Sequence, residues 1–189
     1  MKKLLLVTTL ASTLALPTWV NAADYTIDTK GAHASVNFKV SHLGYSFIQG
    51  RFNTFSGEFS FDANNVEASK VSVSIDTTSL DSNHAERDKH IKGKTFINTS
   101  KFATSTFVSN KVVKNADGSL AISGDLTLHG VTKNITLDTQ FIGEGSDPWG
   151  GYRVGFEATT RLELKDFNIK VMGASSYVDM VLQVEGIKQ

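Results

Sequence analysis

YRVGFEATTRLEL, residues 152–164, decides the fold. Tyr152, Val154, Phe156, Ala158, Leu162 and Leu164 fall on one parity, and Arg153, Glu157, Arg161 and Glu163 on the other. A period of two puts the apolar set on one face of an extended strand and the charged set on the other. The same period recurs along the chain. Ala34, Val36, Phe38 and Val40 alternate with His33, Ser35, Asn37 and Lys39. Val71, Val73 and Ile75 alternate with Ser72, Ser74 and Asp76, and Val178, Met180, Leu182 and Val184 with Tyr177, Asp179, Gln183 and Glu185.

Turn residues separate these runs. Asp117-Gly118 reads as a tight hairpin, and His129-Gly130 plays a similar part. GEGSDPWGG, residues 143–151, is a glycine-rich loop carrying Pro148, the one proline beyond Pro17. Strands free of proline can pair along both edges. Eight or nine strands in sequential hairpins predict an all-β sandwich or barrel, and a closed ring of eight is wide enough for one small ligand.

The first residues are set apart from this pattern. Lys2 and Lys3, the apolar run Leu4–Leu16 and the small residues ending at Ala22 read as a secretory signal peptide, with cleavage expected after Ala22. That division gives a leader, 1–22, and one domain, 23–189, in an exported compartment, most simply the periplasm. Without Lys2 and Lys3 the chain has 17 basic residues against 19 acidic, a net charge of −2. No charge bias points to nucleic acid or an anionic membrane. No later segment is apolar enough to span a membrane. The chain has no cysteine, so thiol nucleophiles, disulfides, Cys-ligated zinc and a lipoprotein anchor are excluded.

One stretch breaks the alternation. NHAERDKHIKGK, residues 83–94, holds six charges and two histidines. Asn83 followed by Glu86 resembles a capping box, and a short helix is predicted near residues 83–92, docked through Ile91, Leu80 and Phe96. Glu86 and Asp88 are expected to pair with Arg87, Lys89 or His90 at helical spacing. The patch is open to four readings: active site, metal site, headgroup clamp or solvated helix. His84 and His90, six apart, lie on different faces of a helix, and the zinc spacing of two histidines four apart is absent. There is no Gly-x-Ser-x-Gly elbow, P-loop or dinucleotide fingerprint. No catalytic residue, metal ligand or cofactor is therefore assigned. His42 continues the parity of Val40 and is expected to face inward near a barrel end.

HASVNFKVSHLGYSFIQGRFNTFSGEF, residues 33–59, resembles the opening signature of the YceI-like family of lipocalin-like, polyisoprenoid-binding proteins. Ser35, Phe38 and His42 lead into Gly50, Phe52, Phe55 and Gly57. Arg87, Asp88, His90 and Phe96 resemble a second signature, and residues 124–137 and 164–169 are also similar. Ala103 and Asn134 stand where the family often has proline. The resemblance implies an extended antiparallel barrel with one short helix. It also implies an apolar tunnel for a long-chain isoprenoid or similar amphipathic lipid, a periplasmic location and, as in some members, a homodimer. On this reading Val36, Phe38, Val40, Phe47, Phe52, Phe59, Phe61, Ile75, Phe107 and Phe156 line the tunnel, and His42, Arg87, Asp88 and His90 meet the headgroup at its mouth. A periplasmic enzyme acting on a lipid and a structural or stress protein with a filled core are the alternatives.

Overall fold

The computed structural model describes residues 22–171 and 173–189. The expected leader lies outside the described residues, save Ala22. The strands are β1 (Ala23–Ile27), β2 (Ser35–His42), β3 (Ser46–Phe52), β4 (Phe55–Phe61), β5 (Lys70–Asp76) and β6 (Leu80–Asp81). After the helix α1 (Ala85–Lys92) come β7 (Thr104–Lys114), β8 (Leu120–Leu128), β9 (Val131–Ser146), β10 (Tyr152–Glu163) and β11 (Tyr177–Lys188). Eight of them close a ring in the order β1-β4-β5-β7-β8-β9-β10-β11, and β11 pairs back to β1. Every pairing is antiparallel, as the sequence predicts. Closure removes the open edges that a sheet of this length would otherwise present.

The free edge of β11 serves two partners. Its first half takes β2, from Asp179 opposite Lys39 to Gln183 opposite Ser35. Its second half takes β1, from Gly186 opposite Ile27 to Lys188 opposite Tyr25. Beyond β2 the sheet continues through β3 to β6. The turns follow their residues. Leu43-Gly44 and His129-Gly130 both sit at positive φ, the backbone that tight hairpins need and that Gly supplies without strain.

The inward parity of β10 is as read. Val154, Ala158 and Leu162 are buried, while Arg153 and Arg161 take ion pairs on the outside. Leu164 departs from that strand and opens a 3₁₀ turn, Leu164–Phe167, which drives Phe167 and then Ile169 into the core. Phe167 and Ile169 join Phe107, Val112, Leu126 and Leu162 in one apolar cluster, with Phe96 and Ile97 packed against it. A second cluster, Tyr25, Ile27, Phe59, Phe61 and Val154, fills the ring at the opposite end.

The helix differs from expectation at its start. It begins at Ala85, and its cap is His84, whose Nδ1 accepts from the Arg87 N–H at 3.2 Å. Asn83 sits one residue outside at φ 62, which places its side chain out of capping position. No ion pair forms within the helix among the described residues. Arg87 and Asp88 instead converge on Ser82. Arg87 Nε donates to Ser82 Oγ at 2.7 Å, and Asp88 Oδ1 accepts from both the hydroxyl and the backbone N–H of Ser82. Ser82 is buried, so these bonds tie the helix to the end of β6.

Candidate functional site

An elongated cavity of about 140 Å³ runs inside the ring. All eight ring strands contribute to its wall. Along β10 it extends from Phe156 to Leu162, a run of strand about 20 Å long. Among the described residues no charged side chain lines it; the few polar residues are Ser35, Ser60, Ser69, Thr139, Thr160 and Gln183. Three of these polar groups have other engagements. Ser35 Oγ accepts from Asn37 at 2.7 Å, Gln183 turns its amide to Glu157, and Thr139 Oγ1 reaches the Leu137 carbonyl at 3.4 Å. Ser69 Oγ has no partner among the described residues.

Aromatic rings close the end formed by β4 and the β9–β10 hairpin. Phe156 meets Phe61 edge-on at 5.1 Å, Phe59 at 5.8 Å and Phe141 at 5.8 Å. Phe61 and Phe141 stack at 6.0 Å, and Phe141 is 44% exposed. The register shifts between Gly155 and Phe156, which leaves Ile142 unpaired in β9 and kinks the strand at this rim. Trp149, 77% exposed, projects from the hairpin beside it.

The structure brings six of the ten expected tunnel residues to the cavity wall: Val36, Phe59, Phe61, Ile75, Phe107 and Phe156. Phe38, Val40, Phe47 and Phe52 are elsewhere. Phe38 and Phe52 pack on each other at 5.9 Å, on β2 and β3, which lie outside the eight-strand ring. Phe47 is exposed near the tip of that hairpin, with the Lys39 ammonium 4.7 Å over its ring. His42 is also corrected: it is exposed, and its neighbour Ser41 is buried instead. The parity inverts at the strand end because Ser175 donates to the Ser41 carbonyl and the Ser41 hydroxyl accepts from Gly44.

Arg87, Asp88 and His90 do not line the cavity either. Arg87 and Asp88 are spent on Ser82, and the His90 ring stands edge-on to Phe96 at 4.8 Å. The helix anchors a surface loop; it does not border the cavity.

One polar cluster was not anticipated. Arg153 donates to Asp28 at 2.7 Å, to Asp147 at 2.7 Å and to Glu185 at 2.6 Å, while His33 lies 2.9 Å from Asp28. The guanidinium holds Asp28 well below the usual carboxylate range, at about 2, helped by the Gly31 N–H. Asp28, His33 and Glu185 have metal-ligand spacing, but Arg153 already stands among them as the counter-cation. The cluster locks the end of β1, the β9–β10 loop and the outer faces of β10 and β11 together. Its members are scattered from residue 28 to residue 185, and only the outward parity of Arg153 and Glu185 hints at it.

An eight-stranded antiparallel ring around a long apolar cavity defines a lipocalin-like binding barrel. The sequence matches the YceI-like domain over residues 25–186, and the chain belongs to that family. A UPF0312 protein of Vibrio vulnificus is 67% identical over the full length of both chains. The crystal structure of the Campylobacter jejuni YceI protein superposes with a TM-score of 0.71 at 26% identity, covering 80% of this chain and 91% of that one. A polyisoprenoid-binding domain from Saccharophagus degradans shares the fold at a TM-score of 0.64 and 15% identity, covering 89% and 99%. No helix among the described residues is long and apolar enough to cross a membrane.

Proposed function

We propose that this protein is an exported carrier that holds a single long apolar chain, of isoprenoid type, inside the barrel. The observation that carries the reading is the cavity's shape: long, apolar and walled by every strand of the ring. Family membership supports it, as does the polyisoprenoid-binding domain that shares the fold. Export rests on the leader pattern of residues 1–22. Val36, Phe59, Phe61, Ile75, Phe107 and Phe156 form the proposed tunnel wall. Each methylene buried contributes about 0.8 kcal/mol, so eight of them supply about 6 kcal/mol before ordering costs.

The cavity's size sets a condition on this function. An apolar cavity of about 150 Å³ takes a benzene-sized guest. The 140 Å³ here is spread along the barrel, so a long chain enters only as the rings of Phe59, Phe61 and Phe156 turn aside. The same small volume favours the filled-core alternative, and one experiment separates the two. Protein purified without detergent from its exporting cell is extracted with organic solvent and the extract weighed by mass spectrometry. A stoichiometric long-chain isoprenoid is expected. A clean extract that stays clean after incubation with polyprenyl alcohols and quinones would leave a structural barrel.

A further inference from the structure

Buried serine hydroxyls in this fold are almost all engaged. Ser41 accepts from Gly44, Ser82 holds Arg87 and Asp88, Ser105 donates to the Thr127 carbonyl, and Ser119 donates to Asp117. Ser109, beside the cavity wall, is spent on the Val71 N–H at 2.8 Å. Among the described residues, Ser69 Oγ is the one buried side-chain polar atom without a hydrogen-bond partner. It lines the cavity. Its own backbone N–H is satisfied by the Val66 carbonyl, which leaves the hydroxyl without a partner.

Thr139 Oγ1 lies toward the same end of the barrel, on β9 opposite Leu120 at the start of β8. Thr139 is 2% exposed, and among the described residues its hydroxyl makes one hydrogen bond, the long one to the Leu137 carbonyl. Unmade hydrogen bonds in a buried apolar site are costly, and native folds retain few of them. Among the described residues the rest of the wall offers no lysine, arginine or histidine to receive a charge. Placing a phosphate or carboxylate against it would strip an ion of water with no counter-ion in return.

We propose that Ser69, with Thr139 in support, is the seat for an uncharged hydrogen-bonding end group of the bound chain, an alcohol or a carbonyl. The proposal rests on the carrier reading above and narrows it. The ligand lies with its polar end toward the β4–β5 connection, beneath Phe61, and its tail along β10 toward Leu162. A hydroxyl both donates and accepts, so Ser69 serves an alcohol and a carbonyl equally well. Charged prenyl phosphates are discriminated against by the wall itself, without any repelling side chain.

The test uses three probes with one tail: farnesol, farnesene and farnesyl monophosphate. Each is titrated into the wild type and into Ser69→Ala, with Ser69→Val as a second variant that also fills the seat. Farnesol is expected to bind the wild type tightest and to lose about five- to tenfold in affinity in Ser69→Ala, the worth of one hydrogen bond. Farnesene is expected to bind Ser69→Ala as well as the wild type or better, since the variant removes an unpartnered hydroxyl. Melting temperatures of both variants at or above wild type verify that the fold is kept. Equal losses for farnesol and farnesene, or wild-type preference for the phosphate, would overturn the seat while leaving the carrier reading intact. Failure of all three probes to bind would overturn both.

Discussion

Ala158 is the position at which a cavity and a filled core make opposite predictions. It is 4% exposed, lines the cavity from β10, and sits between Thr139 on β9 and Leu182 on β11. Ala158→Leu adds three carbon groups pointing inward. If each takes roughly the 30 Å³ that a water molecule occupies in the liquid, together they consume about two thirds of the cavity. Contact with the wall is worth about 0.8 kcal/mol per group, or about 2.4 kcal/mol in all. Fixing the leucine rotamer returns about 0.5–1 kcal/mol of that. The net gain is about 1.5 kcal/mol, or a rise in melting temperature of about 3–6 °C for a domain of this size. The same leucine stands where the ligand chain would run, so farnesol affinity should fall at least about tenfold, the equivalent of two lost methylene contacts. Thermal denaturation by circular dichroism and a fluorescence titration read both effects. In a filled core, added methylenes overpack and cost about 1–3 kcal/mol. A lower melting temperature with unchanged farnesol binding would refute the reasoning.

Three further outcomes follow from the same geometry. Ser82→Ala strips Arg87 and Asp88 of their shared partner and should cost about 1–3 kcal/mol in urea denaturation while farnesol affinity holds, because the helix does not border the cavity. A large loss of binding would return the helix to the ligand site. Asp28 has its folded pKa lowered to about 2, so the stability it contributes is fully present above its unfolded value near 4 and is lost as the pH falls from there to 2. Asp28→Asn should flatten the stability–pH curve in that window, and a curve parallel to wild type would show that the Arg153 cluster is not the source. Gly186→Ala would press a methyl into the Phe59 ring, which stacks on Tyr25 at 5.1 Å, and should destabilise by about 1–3 kcal/mol. A near-ultraviolet spectrum unchanged from wild type would mean that the stack absorbs the methyl without moving.

The architecture was legible because one face of each ring strand is apolar. A period of two survives translation from sequence to sheet, and Phe59, Ile75, Phe107 and Phe156 reach the cavity from ring strands, with Val36 joining them from the part of β2 that pairs with β11. Parity failed at Phe38, Val40, Phe47 and Phe52 for a different reason. It reports which side of a strand is apolar, but not that β3 and β6 lie outside the ring, nor that β2 touches the cavity only at its first residues, Ser35 and Val36. Nor does it hold at strand ends, where Ser41 and His42 exchange places once the 3₁₀ turn Gly173–Ser175 covers the outer side. The charged segment misled in another way. Its density suggested a ligand contact, yet Arg87 and Asp88 satisfy one buried serine that has no distinguishing sequence context. Ser69 lay beyond sequence reasoning entirely, since an unpartnered hydroxyl is a fact about what surrounds it.

The dual pairing of β11 has a kinetic consequence. This strand follows all seven other members of the ring in the chain and completes both edges of the opening, against β10 on one side and β1 and β2 on the other. Its contact with β1 joins residues more than 150 positions apart, so the loop closed in forming it is nearly the whole domain. Nascent chain lacking residues 177–188 has every hairpin available locally but no circle to enclose. A protein assembled in this order stays open until its last stave arrives, and then gains its interior in a single late step that is intrinsically slow.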